Sequence, residues 1–276
     1  MKKITRSFVV AGLLALATSV NAQEHVWKYV ATGDASTYAI RDDGTLWSCG
    51  WNEKGQLGAP AVSERTAEWQ CVGTDTDWKK VIGGKAYAFF IKEDGSLWAA
   101  GTSESGVQGT GDGMDHKELV RVGTDNDWAD VTASHFWGYS AIGLKTDGTI
   151  WGWGENTSSQ LGLGDRNTRT TPVQIGTAND WVYVKAIDNR TYAIKADGTL
   201  WATGDNYSNL LGFNQSDEEL VSLYYEFTKV TTVPDGVLSV SGCENTTTIA
   251  IGKDGVITEI YAIGSNSDGA LGDGNG

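Results

Sequence analysis

The stretch LKTDGTIWGWGENTSSQLGLGD, residues Leu144 to Asp165, decides the fold because its parts recur along the chain. Asp147-Gly148-Thr149-Ile150-Trp151 returns as Asp43-Gly44-Thr45-Leu46-Trp47, Asp94-Gly95-Ser96-Leu97-Trp98 and Asp197-Gly198-Thr199-Leu200-Trp201, and a degraded copy begins at Asp254-Gly255. Successive aspartates lie 51, 53, 50 and 57 residues apart. A near-constant period of that size marks stacked supersecondary units, none of which buries its apolar face alone.

Outward from the Asp-Gly pair the local pattern is strand and turn. Glycine takes the positive φ that a tight hairpin needs at no steric cost. In the first unit, Trp27 to Ala31, Thr37 to Arg41, Leu46 to Gly50 and Trp69 to Gly73 read as short strands, with period-two alternation such as Thr37-Tyr38-Ala39-Ile40. Gly-Thr-x-x-Asp-Trp linkers at Gly73 to Trp78, Gly123 to Trp128 and Gly176 to Trp181 carry each unit into the next. Capped helical periodicity is absent. Four short antiparallel strands per unit of about 50 residues predict an all-β fold, a β-propeller of five blade-like repeats. The units are roughly Trp27 to Glu68, Trp69 to Glu118, Leu119 to Pro172, Val173 to Val230 and Thr231 to Gly276. The pattern is open between a closed five-bladed ring and a partial propeller. The last unit reaches Leu271 to Gly276 where earlier units go on to a fourth strand, so that strand is expected from residues near Val26 to Ala31, or not at all.

The repeat, DGTLWSCGWNEKGQLG in the first unit and DGTIWGWGENTSSQLGLG in the third, resembles that of the regulator of chromosome condensation family over nearly the whole chain after Ala22. The resemblance implies a propeller with one motif per blade; members typically have seven blades, and five units stand here. The second unit departs with Val107-Gln108-Gly109 in place of Leu-Gly, and the fifth has Tyr261 in place of tryptophan. The family's usual histidine between the first two strands is replaced by Ser36, Tyr87, Ser140, Arg190 and Thr247. For the nuclear prototype the resemblance implies nucleotide exchange and chromatin binding. An exported, acidic chain fits neither role, so the sequence is identified as an exported, bacterial-type member without that activity.

Export is read from Met1 to Ala22: Lys2, Lys3 and Arg6, an apolar run from Phe8 to Ala17, and the small-residue site Val20-Asn21-Ala22 form a secretory signal peptide. The remainder, 23–276, is expected to be a single propeller domain in a secreted or periplasmic setting. Removal of the three cations leaves 18 Lys and Arg against 35 Asp and Glu, a formal charge of −17. Such a surface repels phosphate backbones and anionic lipid, and no later run is long and apolar enough to insert in a membrane. A protein partner is the leading expectation, with a glycan next.

Catalysis is not expected. Asp43, Asp94, Asp147 and Asp197 occupy one equivalent place, which suits turns better than a unique reactive environment. The matching tryptophans, Trp47, Trp98, Trp151 and Trp201, are expected to form the core between sheets. His25, His116 and His135 lack metal-ligand spacing, and neither a phosphate loop nor a nucleophile elbow occurs, so no metal and no cofactor are expected. Cys49 and Cys71 fall on neighbouring strands and are either bridged or small apolar fillers, with Cys243 free.

Function is sought in what departs from the repeat. The third unit spaces Trp128 and Asp147 by 19 residues, against 16 from Trp78 to Asp94, and the extra residues bring His135-Phe136-Trp137-Gly138-Tyr139. Equivalent loops carry Tyr87 and Arg190, and an acidic, aromatic insertion runs from Phe213 to Gly236. Loops between first and second strands gather on one face of a propeller. Tyr87, His135, Phe136, Trp137, Tyr139 and Arg190 are therefore the predicted binding patch, rich in the aromatic and arginine side chains that anchor interfaces. The expected function is that of an exported, non-enzymatic module for protein–protein interaction. A lectin-like glycan binder and an inhibitor of a secreted enzyme are the alternatives.

Overall fold

The computed structural model describes residues 26–134, 138–213, 221–265 and 271. They form five antiparallel sheets in chain order. The first holds β1 (Trp27–Thr32), β2 (Ser36–Arg41), β3 (Leu46–Trp51) and β4 (Arg65–Cys71), and the second β5 (Trp78–Gly83), β6 (Tyr87–Lys92), β7 (Leu97–Gly101) and β8 (His116–Arg121). The third holds β9 (Trp128–Ala133), β10 (Ser140–Lys145), β11 (Ile150–Gly154) and β12 (Arg169–Gln174). The fourth holds β13 (Trp181–Ile187), β14 (Arg190–Lys195), β15 (Leu200–Asp205) and β16 (Leu223–Lys229), and the fifth β17 (Val237–Cys243), β18 (Thr246–Lys253) and β19 (Val256–Gly264). The helical content of the described residues is two single 3₁₀ turns, Glu104–Gly106 and Tyr207–Asn209. The all-β prediction therefore holds.

First strands of consecutive sheets pack side by side, β1 on β5, β5 on β9, β9 on β13 and β13 on β17, so they line one inner face of the stack. Each apolar core lies between two neighbouring sheets. Phe89, Ile91 and Leu97 of the second sheet, for example, close on Trp128, Val131 and Trp153 of the third.

The repeated motifs have a shared geometry. The Asp147 carboxylate accepts hydrogen bonds from Thr149 N at 2.9 Å and Thr149 Oγ1 at 2.7 Å, and Thr149 Oγ1 accepts from Trp151 Nε1 at 3.0 Å. The same relay runs through Asp43, Thr45 and Trp47, through Asp94, Ser96 and Trp98, and through Asp197, Thr199 and Trp201. These bonds hold the Asp94, Asp147 and Asp197 carboxyls below their usual range. Gly148 has φ +81°, and a Cβ there would meet the Asn179 carbonyl oxygen at 2.1 Å, so the turn needs glycine twice over. The linker aspartate fastens the turn from outside: Lys145 pairs with Asp125 at 2.7 Å and Asp127 at 3.0 Å while its ammonium sits over Trp128 and Trp151. Turn formation, as expected, is the work of the repeated acids.

Three expectations need correction. The tryptophans after the Asp-Gly turns are only half-buried; the buried ones are the linker tryptophans Trp78, Trp128 and Trp181, together with Trp153. The indole of Trp151 lies toward the sheet margin, where its N–H meets Thr149, and leaves the centre of the core to Trp128. Three unit boundaries also move by a few residues, since they fall inside β4, β8 and β12, each of which pairs whole with the sheet before it, while β16 lies within the fourth unit as expected. Residues 213–236 are not wholly an insertion: Tyr224, Tyr225 and Phe227 lie in β16, with Tyr224 stacked on Phe213 at 4.1 Å between ring centroids. Asp217, Glu218 and Glu219 fall outside the described residues. Of the two readings left open for the last unit, β1 does not supply its fourth strand: β1 is the first strand of its own sheet, and the fifth sheet has three strands among the described residues.

Cys49, Cys71 and Cys243 are free thiols. Cys71 stands opposite Trp47, and the strand pairing shifts between Ser48 and Gly50, so Cys49 is not opposite Cys71. Burial raises the pKa of both Cys49 and Cys71.

Candidate binding face

Every first strand runs toward the same end of its sheet, where the loop to the second strand and the loop after the third strand meet. This end carries Gly33 to Ala35, Gly84 to Ala86, Ser134 with Gly138 and Tyr139, Asp188 with Asn189, and Glu244 with Asn245. Hydrogen bonds join these loops from unit to unit. Asp34 N donates to Gly84 O at 3.3 Å, and Tyr87 Oη to Ser134 O at 2.9 Å. Ser134 Oγ donates to Asp188 O at 2.9 Å. Arg190 Nη2 donates to Cys243 O at 2.5 Å, and Arg190 Nη1 to Glu244 O at 3.2 Å. The five loops form one connected rim.

The predicted patch is divided by this geometry. Tyr87 is fully buried, its ring against Phe89 and Tyr139. Arg190 is 3% exposed, and three of its hydrogen bonds go to carbonyls of the next unit. Tyr139 is partly open to solvent, 6.3 Å from Tyr87 between ring centroids and 5.4 Å from the Lys85 ammonium. His135, Phe136 and Trp137 lie outside the described residues. Tyr87 and Tyr139 are thus brought together, while Arg190 supports the neighbouring loop.

The rim is acidic. Burial raises the Tyr139 hydroxyl to a pKa of about 12, helped by a hydrogen bond to Glu104 and by the charges of Glu104, Glu155 and Asp34. Asp188 is 6% exposed with φ +49°, and no donor reaches its Oδ2 among the described residues. Burial raises its pKa, Arg190 opposes the rise, and Glu244 and Asp34 add to it.

Beneath the rim, Tyr29, Lys80, Asp130, Thr132, Tyr183 and Lys185 line a cavity of about 280 Å³ on the inner face. Lys80 Nζ and Asp130 Oδ1 are 2.5 Å apart, and burial lowers the pKa of Lys185. The sequence held a signal for this lining: the residue two places after each strand-opening tryptophan is Tyr29, Lys80, Asp130 or Tyr183, different in character within an otherwise constant frame.

His116 is occupied structurally, with Nδ1 2.6 Å from Gln108 Oε1 and Nε2 3.2 Å from Asp112. Gln108, Val107 and Gly109 thereby replace the Leu-Gly of other units without opening the core. Among the described residues no group of three metal-ligating side chains assembles. No helix among them is long and apolar enough to cross a membrane.

The regulator of chromosome condensation (RCC1) repeat matches at residues 147–194, and a second model of the same repeat at 27–56. The chain is 28% identical over 154 residues to the ultraviolet-B receptor UVR8 of Arabidopsis thaliana, covering 55% of this chain and 35% of that protein. It is 24% identical over 143 residues to the human regulator of chromosome condensation, covering 50% of this chain and 33% of that one. The matched region spans about a third of either relative's length. Among solved structures, Prp20p of Saccharomyces cerevisiae superposes with a TM-score of 0.75 at 17% identity, covering 91% of this chain and 61% of that chain. Its complex with Kap60 gives 0.72 at 16% identity, covering 89% and 57%. The named relatives are eukaryotic and lend no support to a bacterial-type assignment. The chain carries regulator of chromosome condensation repeats on an all-β, propeller-type fold.

Proposed function

We propose that the chain is an exported, non-enzymatic interaction module that binds a protein partner on the loop rim. The observation that carries this reading is the rim itself: loops from five units, unlike one another in sequence, are hydrogen-bonded into one surface, with Tyr139 partly exposed on it. Joined loops lose little freedom on binding, which is how preorganised surfaces gain affinity. Tyr139 is the described contact residue, with His135, Phe136 and Trp137 assigned beside it from the sequence alone; Tyr87 packs against Tyr139, and Arg190 holds the loop of the fifth unit. Dissimilar loops favour one protein surface over a glycan read identically by several blades. Kap60 is bound by yeast RCC1 in the solved complex, an instance of protein binding on this fold.

The mature chain, immobilised and exposed to culture medium, tests the reading through hydrogen-exchange footprinting of whatever it retains. Protection at residues 33–36, 84–87, 138–140 and 188–190 is expected. Protection confined to the Asp-Gly turns at the other end, or retention of sugars alone, would overturn it.

A further inference from the structure

Asp188 sits in a rim loop at φ +49°, a backbone conformation uncommon for residues other than glycine, asparagine and aspartate. It is 6% exposed, and its Oδ2 meets no donor among the described residues. Ser134 Oγ holds its backbone carbonyl at 2.9 Å, which fixes the loop. Other carboxylates act on the rim from different units: Glu244 and Asp34 on Asp188, and Asp34, Glu104 and Glu155 on Tyr139. Arg190 is the cation that acts on Asp188, yet its Nη1 and Nη2 are spent on the carbonyls of Cys243, Glu244 and Thr246. Its Nε, buried without an acceptor, is the internal competitor.

A desolvated carboxylate without a full set of donors is unfavourable until an opposite charge with hydrogen-bonding capacity reaches it. We propose that Asp188 is the docking point for a cationic side chain, lysine or arginine, carried by the protein partner. This rests on the loop rim being the binding face. Arginine is the better fit, since its planar fork can serve Asp188 and a second rim carboxylate together. The surrounding acids steer a basic surface toward the rim, and Asp188 rewards the one side chain that enters.

The test uses random peptide pools fixed at one position as arginine, lysine, citrulline, alanine or glutamate, read by fluorescence polarisation against the mature chain. The arginine or lysine pool should bind about tenfold more tightly than the citrulline pool, and that margin should shrink at high salt. Asp188→Asn and Asp188→Gly should both remove the margin. Glycine is at ease at this φ, so the second variant keeps the fold if the first does not. Equal binding of arginine and citrulline pools, or a margin that survives both variants, would overturn the inference. So would a free-state Asp188–Arg190 ion pair that the arginine pool leaves unchanged. The rim reading stands through any of these if Tyr139→Ala weakens every pool; if no pool binds the unaltered chain, both fall.

Discussion

A carboxylate enclosed as Asp188 is costs the fold stability when it ionises. Burial raises its pKa, so the penalty is absent below the ordinary carboxylate range, grows as pH rises through it, and is complete above the raised native value. Asp188→Asn should therefore raise stability at neutral pH by about 1 kcal/mol, with the gain lost near about pH 3. Thermal melts at the two pH values check this, and an equal gain at both would show that charge is not the cause. The tryptophans divide in the same way. Trp128→Ala should cost about 3–5 kcal/mol, whereas Trp151→Ala, at a half-buried site, should cost roughly half of that. Denaturant titration of the two variants decides which tryptophan belongs to the core. The sequence placed both in the repeat but did not show which was central, because an Asp-Gly-x-x-Trp spacing reports the turn and not the depth of the ring.

At the scale of elements, strands and turns were legible because each Asp-Gly hairpin carries its own chemistry, from Asp147 through Thr149 to Trp151. Pairing was less so. Long loops separate β3 from β4 and β15 from β16, so nothing local to β16 tells that Tyr224 and Phe227 complete the fourth sheet. The role of Arg190 was hidden for a related reason: a lone arginine at the rim, opening β14, reads as a contact residue until its acceptors, carbonyls more than fifty positions away, are seen. Arg190→Met should leave those carbonyls short of donors and loosen the β17–β18 end. Hydrogen exchange should rise at Val240 to Thr248 while β5 to β12 stay unchanged, and uniform exchange across all five sheets would rule out a local staple.

Over the whole molecule, each junction sets the opening strand of one sheet against the second and third strands of the sheet before it, and the two ends of the stack show what a junction buries. Val81, Val131 and Val184 occupy matching places in β5, β9 and β13 and are at most 5% exposed, while Val30 in β1 is 67% exposed. Trp27 likewise is 42% exposed, against 1% for Trp78 and Trp128. At the far end Ile260 of β19, which matches Leu46, Leu97, Ile150 and Leu200, is 69% exposed where those four are buried. The end faces are therefore not buried on one another here. Val131→Glu places a charge inside a junction and should cost more than about 3 kcal/mol. Val30→Glu places the same charge on an uncovered face and should change stability by no more than about 0.5 kcal/mol. Denaturant midpoints of the two variants separate an open arc from a closed ring, because closure would bury Val30 as thoroughly as Val131 and make the two losses alike.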